Sequence, residues 1–301
     1  MNTALRQMRV LIRYEFSDAL RTRRVILVMI LFSATLLASF HFSIRLLHRM
    51  ENQLAEMMEL PASEVAGATT EALWQSERFR NIVERMTGDR DVVRELMDIS
   101  PIALMFGGLS FFFTPLLVLL TCAPRISSEV SDGSARYALV RTSRLNWVLS
   151  KLAGQALLIM LALVLCAVGA WIMAWFQTVG GRSFSTGMDM LTFSLKAWVK
   201  GFAFLGLALG VSQCMRSPNL ATAVSFVAWI GLAVLYNLSE SRVGEGMARL
   251  WDLGLLLTPG GHQADLWRTN PVWLIPSVLY MLGLGFLYFF IGFIRFRRKD
   301  L

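Results

Sequence analysis

Lysine is scarce in this chain: Lys151, Lys196, Lys200 and Lys299 are the only four in 301 residues, and none follows a glycine. A phosphate-binding loop sets a lysine directly after glycine, so that its ammonium and the backbone amides hold the phosphates together. Nucleotide hydrolysis by that device is excluded. Three cysteines (Cys122, Cys166, Cys214) and three histidines (His41, His48, His262) lie too far apart for a disulfide framework, a zinc knuckle or an iron–sulfur site. The His-Glu-x-x-His zinc-protease pattern does not occur. Charge of either sign is also short, at 17% of residues against about 25% in ordinary soluble domains. With 55% hydrophobic residues and a mean hydropathy of +0.53, the composition argues against a soluble enzyme.

Long apolar runs are what the chain has in quantity. Six can cross a bilayer: 25–44, 101–122, 152–177, 192–214, 220–237 and 271–294. An all-α polytopic membrane protein is expected. No Asp or Glu falls inside any of the six. That argues against an intramembrane aspartyl or zinc protease and weakens a carboxylate proton relay. An even number of spans puts both termini on one side. The segments assigned to that side (1–24, 123–151, Arg216 and 295–301) carry 16 Lys and Arg, and the three longer opposite loops together carry 11. Positive residues concentrate in the cytoplasm, so both termini are expected there. The net charge of +8 is thus a topology signal, and basic residues so scattered make no nucleic-acid face. No cleavable leader is evident, and the first span is expected to remain as an anchor.

Ahead of it, Leu5, Met8, Ile12, Phe16 and Ala19 share one helical arc beside Arg6, Arg9 and Arg13, the pattern of a helix lying along the inner membrane surface. Trp171, Trp175 and Trp273 fall near expected outer helix ends, and Trp147 near an inner one. Residues 45–100 read as a helical extracytoplasmic cap, which either packs on itself or a second copy, docks an accessory protein, or lines an exit. Its methionines are core filler more than copper ligands. Residues 238–270, with Thr258-Pro259-Gly260-Gly261 at their centre, read as short helices bent back on the outer side. The pair Gly107-Gly108 suggests a kink or close packing in the second span. Lys196 and Lys200, four residues apart in the fourth span, share a helix face. A mid-bilayer lysine costs about 2.5–3.5 kcal/mol, so the pair either snorkels to the headgroups or lines a substrate path for an anionic group.

The connection 123–151 contains Glu129, Asp132, Gly133, Arg136, Leu139, Arg141, Ser143, Arg144 and Lys151. Ser127 or Ser128 can cap a short helix, Gly133 can end it, and Ser143 can cap the helix that re-enters the membrane. The spacing of Glu129, Gly133, Leu139, Ser143, Arg144 and Lys151, joined to this topology, resembles the membrane subunits of type 2 ATP-binding-cassette exporters. It departs from their pattern at Thr142, where proline is frequent, and at Asn146, where an acid is frequent. The resemblance implies a dimeric permease, without catalysis or a bound cofactor of its own, whose short cytoplasmic helix seats in a separate ATPase subunit, two copies per dimer, that holds ATP and Mg. Glu129 would dock there, with Asp132, Gly133, Arg136 and Arg141 around it. A bacterial inner membrane is the expected setting. Two alternatives stay open: a self-sufficient secondary transporter using Lys196 and Lys200, though no internal repeat is visible, and a membrane-anchored assembly protein acting through the outer cap.

Overall fold

The computed structural model describes residues 2–57, 66, 95–240 and 248–298. Its helices, in chain order, are α1 (Asn2–Arg21), α2 (Arg23–Met57), α3 (Pro101–Cys122), α4 (Arg125–Ser131), α5 (Ser134–Arg141), α6 (Arg144–Gln177), α7 (Phe184–Cys214), α8 (Pro218–Glu240), α9 (Ala248–Leu257) and α10 (Pro271–Arg297). Six of these, α2, α3, α6, α7, α8 and α10, are long and apolar enough to cross a membrane. Among the described residues there is no β-strand, only a single bridge between Ala66 and Thr178. The chain is an all-α integral membrane protein.

Local sequence sets the helix starts. Pro101, Pro218 and Pro271 open α3, α8 and α10, where a missing N–H costs nothing. Ser143 Oγ accepts from the Asn146 amide at the head of α6, and Asn270 Oδ1 from the Val272 amide at the head of α10. The helices outrun the apolar stretches. α2 continues to Met57, α6 begins at Arg144 and α7 at Phe184. At 1.5 Å per residue the 35 residues of α2 reach about 52 Å, well beyond a hydrocarbon core of about 30 Å. Most of the expected outer cap, residues 58–65 and 67–94, lies outside the described residues, as do 241–247.

Helix α7 is the centre of the bundle, with α3, α6 and α10 against it. Lipid is as apolar as leucine, so burial cannot sort one helix against another and close backbone approach must do so. Glycines provide it. A Cβ on Gly206 would stand 1.9 Å from the Gly285 carbonyl oxygen, and one on Gly292 would stand 2.3 Å from that of Gly210, so α7 and α10 touch main chain to main chain. Of the Gly107-Gly108 pair only Gly107 is needed for a close approach, to a side chain, since a Cβ there would meet the Phe193 ring at 2.8 Å while one on Gly108 would have room.

Contacts at one end of the bundle gather both chain ends with the 123–143 connection. Arg144 Nη1 donates to the carbonyls of Phe296 and Arg297 at 3.3 and 2.9 Å. Trp147 stacks on Phe296 at 5.8 Å and is buried, so it is a packing residue and not a headgroup anchor. Helix α1 lies against α6 through the arc that holds Ile12, Phe16 and Ala19, so part of the face expected to meet lipid meets protein.

At the opposite end, α9 and two 3-10 turns, Pro259–His262 and Ala264–Trp267, fold back among the spans. Ser277 Oγ donates to the His262 carbonyl at 2.7 Å, and the His262 ring sits 4.2 Å from that of Tyr280. Those partners lie six and nine residues inside α10, about 9–14 Å below its start. Trp267 wedges between Phe111 and Phe193 at ring distances of 5.0 and 5.5 Å. Irregular backbone at such depth is tolerated because protein covers it.

Candidate functional site

Helix α3 ends at Cys122, Ala123-Pro124 turn the chain, and α4 and α5 form a short helical hairpin before α6 re-enters the bundle. Gly133 makes the turn with φ of 76°, a left-handed conformation that costs a side-chain-bearing residue about 1–2 kcal/mol. Ser127 and Ser128 do not cap α4; they lie inside it, because the helix already starts at Arg125. Its first free amides are met from another helix instead. Ser212 Oγ of α7 accepts from Ile126 N and Ser127 N at 3.1 and 3.0 Å. The hairpin is thereby pinned to the central helix by its base.

Beside it lies a buried ionic cluster. Glu15 of α1 accepts from Lys151 Nζ of α6 at 2.5 Å and from Arg125 Nε at 2.6 Å, with 3% of its side chain exposed. Arg125 Nη2 also donates to Asp18 at 2.5 Å and stands 3.8 Å from Glu129. Lys151 Nζ donates to Glu129 Oε1 as well, and passes over the Trp147 ring at 5.4 Å. Three carboxylates therefore surround two cations, and α1, α4 and α6 are tied at one point.

The residues singled out from the sequence divide between this cluster and the surface. Glu129 is turned into the cluster and spends its carboxylate on its own chain. Asp132, Arg136 and Arg141 are exposed. Between the two arginines, Tyr137 and Val140 are 82% and 86% exposed, an aromatic and a branched apolar side chain with nothing over them. A groove of about 820 Å³ runs from α1 past Glu129 and Asp132 to Tyr137 and Arg141. In the sequence Arg125 registers only as one of the positive charges, and Glu15, Asp18, Ser212, Tyr137 and Val140 are not singled out. One signal was present: Glu15 falls in step with Met8, Ile12 and Ala19, a carboxylate on the apolar arc of an amphipathic helix.

Lys196 and Lys200 start on one face of α7 and then part. Lys196 Nζ donates to the Arg268 carbonyl at 3.0 Å and lies over Phe193 at 5.2 Å, fastening the re-entrant segment to the bundle. Lys200 Nζ donates to the Phe111 carbonyl at 2.9 Å and borders a cavity of about 420 Å³ under that segment. Both are buried within the protein. At the same end as the re-entrant segment, Glu95 holds the turn that leads into α10, accepting from Thr269 N, Asn270 N and Thr269 Oγ1 at 2.6, 3.0 and 3.2 Å. Partial burial would raise its carboxyl pKa, but these bonds and the Arg268 charge outweigh it and hold the group below the usual range.

A six-helix bundle with a segment folded back among its spans and a cross-braced hairpin between the second and third defines the class: a membrane permease. The pattern of the ABC-2 family transporter proteins matches residues 9–259, most of the chain, and the protein belongs to that family. No curated protein matches it.

Proposed function

We propose that this chain is the permease subunit of an ATP-binding-cassette transporter, driven by a separate ATPase that docks on the α4–α5 hairpin. The carrying observation is the pairing of an exposed face, Arg136, Tyr137, Val140 and Arg141, with a base that does not yield. Ser212 holds α4 to α7, and the Glu15–Lys151–Glu129–Arg125 cluster holds it to α1 and α6. A push on the hairpin is therefore delivered to three helices as a rigid-body movement. Glu129 acts from inside, as the link between hairpin and α6, while Asp132, Arg136 and Arg141 frame the contact and Gly133 sets its angle.

Orientation follows from charge. The end that holds both termini and the hairpin is the Lys- and Arg-rich one, which supports a cytoplasmic face there. The partner supplies ATP and Mg, and the substrate is exported or worked on mechanically. A second copy completes the path against α8, whose Val227, Ile230 and Val234 stand more than half exposed. A bacterial cytoplasmic membrane is the setting in which this arrangement is expected.

The test is co-expression with the protein encoded beside this chain that bears Gly-x-x-x-x-Gly-Lys-Ser/Thr, followed by purification in detergent. The ATPase should co-purify with the native chain and be lost from Tyr137→Asp/Val140→Asp, with membrane insertion unaltered. Retention by that variant, or no such partner at all, overturns the reading.

A further inference from the structure

We propose that the cavity beside Lys200 is a binding site for an anionic amphiphile, a molecule with a phosphate or carboxylate head and an alkyl chain, held there in transit through the membrane. This rests on the permease reading and names the class of molecule that its path takes.

The cavity, about 420 Å³, lies in the size range of ligand sites and is walled by α3, α7, α8 and the re-entrant turn. Its lining is aromatic and apolar: Phe111, Phe112, Phe204, Trp229 and Trp267 among others. Lys200 is the one lysine, arginine or acid in that lining. Its ammonium, on a side chain 7% exposed, has three hydrogens, and the structure occupies one of them, with the Phe111 carbonyl. Among the described residues no carboxylate pairs with it. The contrast with Lys151 is direct, because that lysine has two acids. A buried ammonium is ordinarily compensated by a partner charge, which an anionic head entering this cavity would supply.

Depth decides what carries that anion. Phe111 is ten residues into α3, about 15 Å below its outer end and so near the middle of a hydrocarbon core of about 30 Å. A resting lipid keeps its head at the interface; a head at this depth is one being moved. The rim gives the route. Phe112 is 64% exposed, and Leu232 and Ala233 of α8 flank it, so the opening faces the apolar belt and not water. An alkyl chain can lie across that rim while the head meets Lys200 and the Gln263 side chain. The roof, Pro259, Gly260 and Trp267, separates the cavity from the outer surface.

The purified chain in a maltoside detergent, without ATPase, should be titrated with dodecyl phosphate, dodecanoate and dodecanol, and binding read by native mass spectrometry. The native chain should prefer at least one anionic amphiphile over the alcohol by about ten- to a hundredfold, the range for a hydrogen-bonded charge in a desolvated site. A bias toward dodecyl phosphate assigns the site to phosphate-headed lipids, and a bias toward dodecanoate to fatty acids. Lys200→Gln should abolish the preference and Lys200→Arg keep it. Ala233→Trp, which fills the cavity from the exposed side of α8, should abolish binding with the lysine intact. Equal binding of anion and alcohol by the native chain, or a preference surviving in Lys200→Gln, overturns the proposal. Because no ATPase is present, this outcome is independent of whether one docks on α5.

Discussion

Replacing Glu15 by Gln removes a charge while keeping the volume that fills the space over Gly154, where a Cβ would come within 2.7 Å of the Glu15 side chain. Any effect is then electrostatic and not steric. Taking one partner from a buried ion pair costs about 3–5 kcal/mol, since the remaining charge is left without compensation. Here the lower end applies, because Lys151 keeps Glu129 and Arg125 keeps Asp18. With 3% of the Glu15 side chain exposed, solvent does little to screen the loss. A figure of about 3 kcal/mol makes detachment of α1 from α6 about a hundredfold more frequent.

Amide hydrogen exchange reads that opening locally, without the whole membrane protein having to unfold. Protection over residues 12–21 should fall by about two orders of magnitude in Glu15→Gln, while amides in the middle of α10 keep theirs. Lys151→Met alone should have a comparable effect. The double variant should cost less than the two singles added, because each removes the charge that the other leaves stranded. Unchanged exchange in α1, or strict additivity, refutes the claim that this cluster is what ties α1 to the hairpin.

Glu129→Arg sets a third cation beside Arg125 and Lys151; ATP hydrolysis by the docked partner should continue while transport into vesicles stops, with insertion normal by protease protection. Gly133→Val forces a branched residue to φ of 76°, and partner affinity should fall about tenfold by titration, the equivalent of 1–2 kcal/mol. Gly206→Leu drives a side chain into the Gly285 carbonyl, an overpacking of at least about 1–3 kcal/mol, seen as loss of monodisperse protein on size exclusion. Glu95 binds α10 as a carboxylate with a lowered pKa, so its contribution is complete above the ordinary carboxyl value and disappears as pH falls through the lower folded one. Exchange protection at Thr269 and Asn270, normalised to intrinsic rates, should be flat from pH 7 to 5 and drop only in stronger acid; Glu95→Gln should remove that pH dependence.

How much of this could be read from the residues depends on distance along the chain. The bounds of α3 are legible because Pro101 opens it and the apolar run ends where the helix does. The C-terminal end of α2 and the starts of α6 and α7 are not, because hydropathy reports contact with lipid, and residues 45–57, 144–151 and 184–191 are helical with polar or charged residues among them. Glu129 and Lys151 stand out in a local motif; the second acid on Lys151, Glu15, lies 136 residues away from it, and no periodicity links the two. The i,i+4 spacing correctly gives Lys196 and Lys200 one face. It could not separate their fates, which are set by carbonyls 72 and 89 residues away.

The same physics explains where the long-range bonds sit. At membrane depth apolar burial cannot discriminate among helices, so α7 and α10 are registered by glycine backbones at Gly206, Gly210, Gly285 and Gly292. At the end that holds the termini, charges and Ser212 do that work across α1, α4, α6 and α7. On the proposed reading, force applied at Tyr137 and Val140 enters through these contacts and passes along α7, the helix that carries Lys200. Fourteen residues separate Lys200 from Cys214, about 21 Å of unbroken helix, so α7 can move its inner end and the cavity wall together. Ser212→Ala, which cuts the hairpin from α7 and touches neither the exposed face of α5 nor the cavity, should therefore leave partner docking and amphiphile binding each intact while abolishing the effect of one on the other; persistence of that coupling would mean that the signal runs through α3 instead.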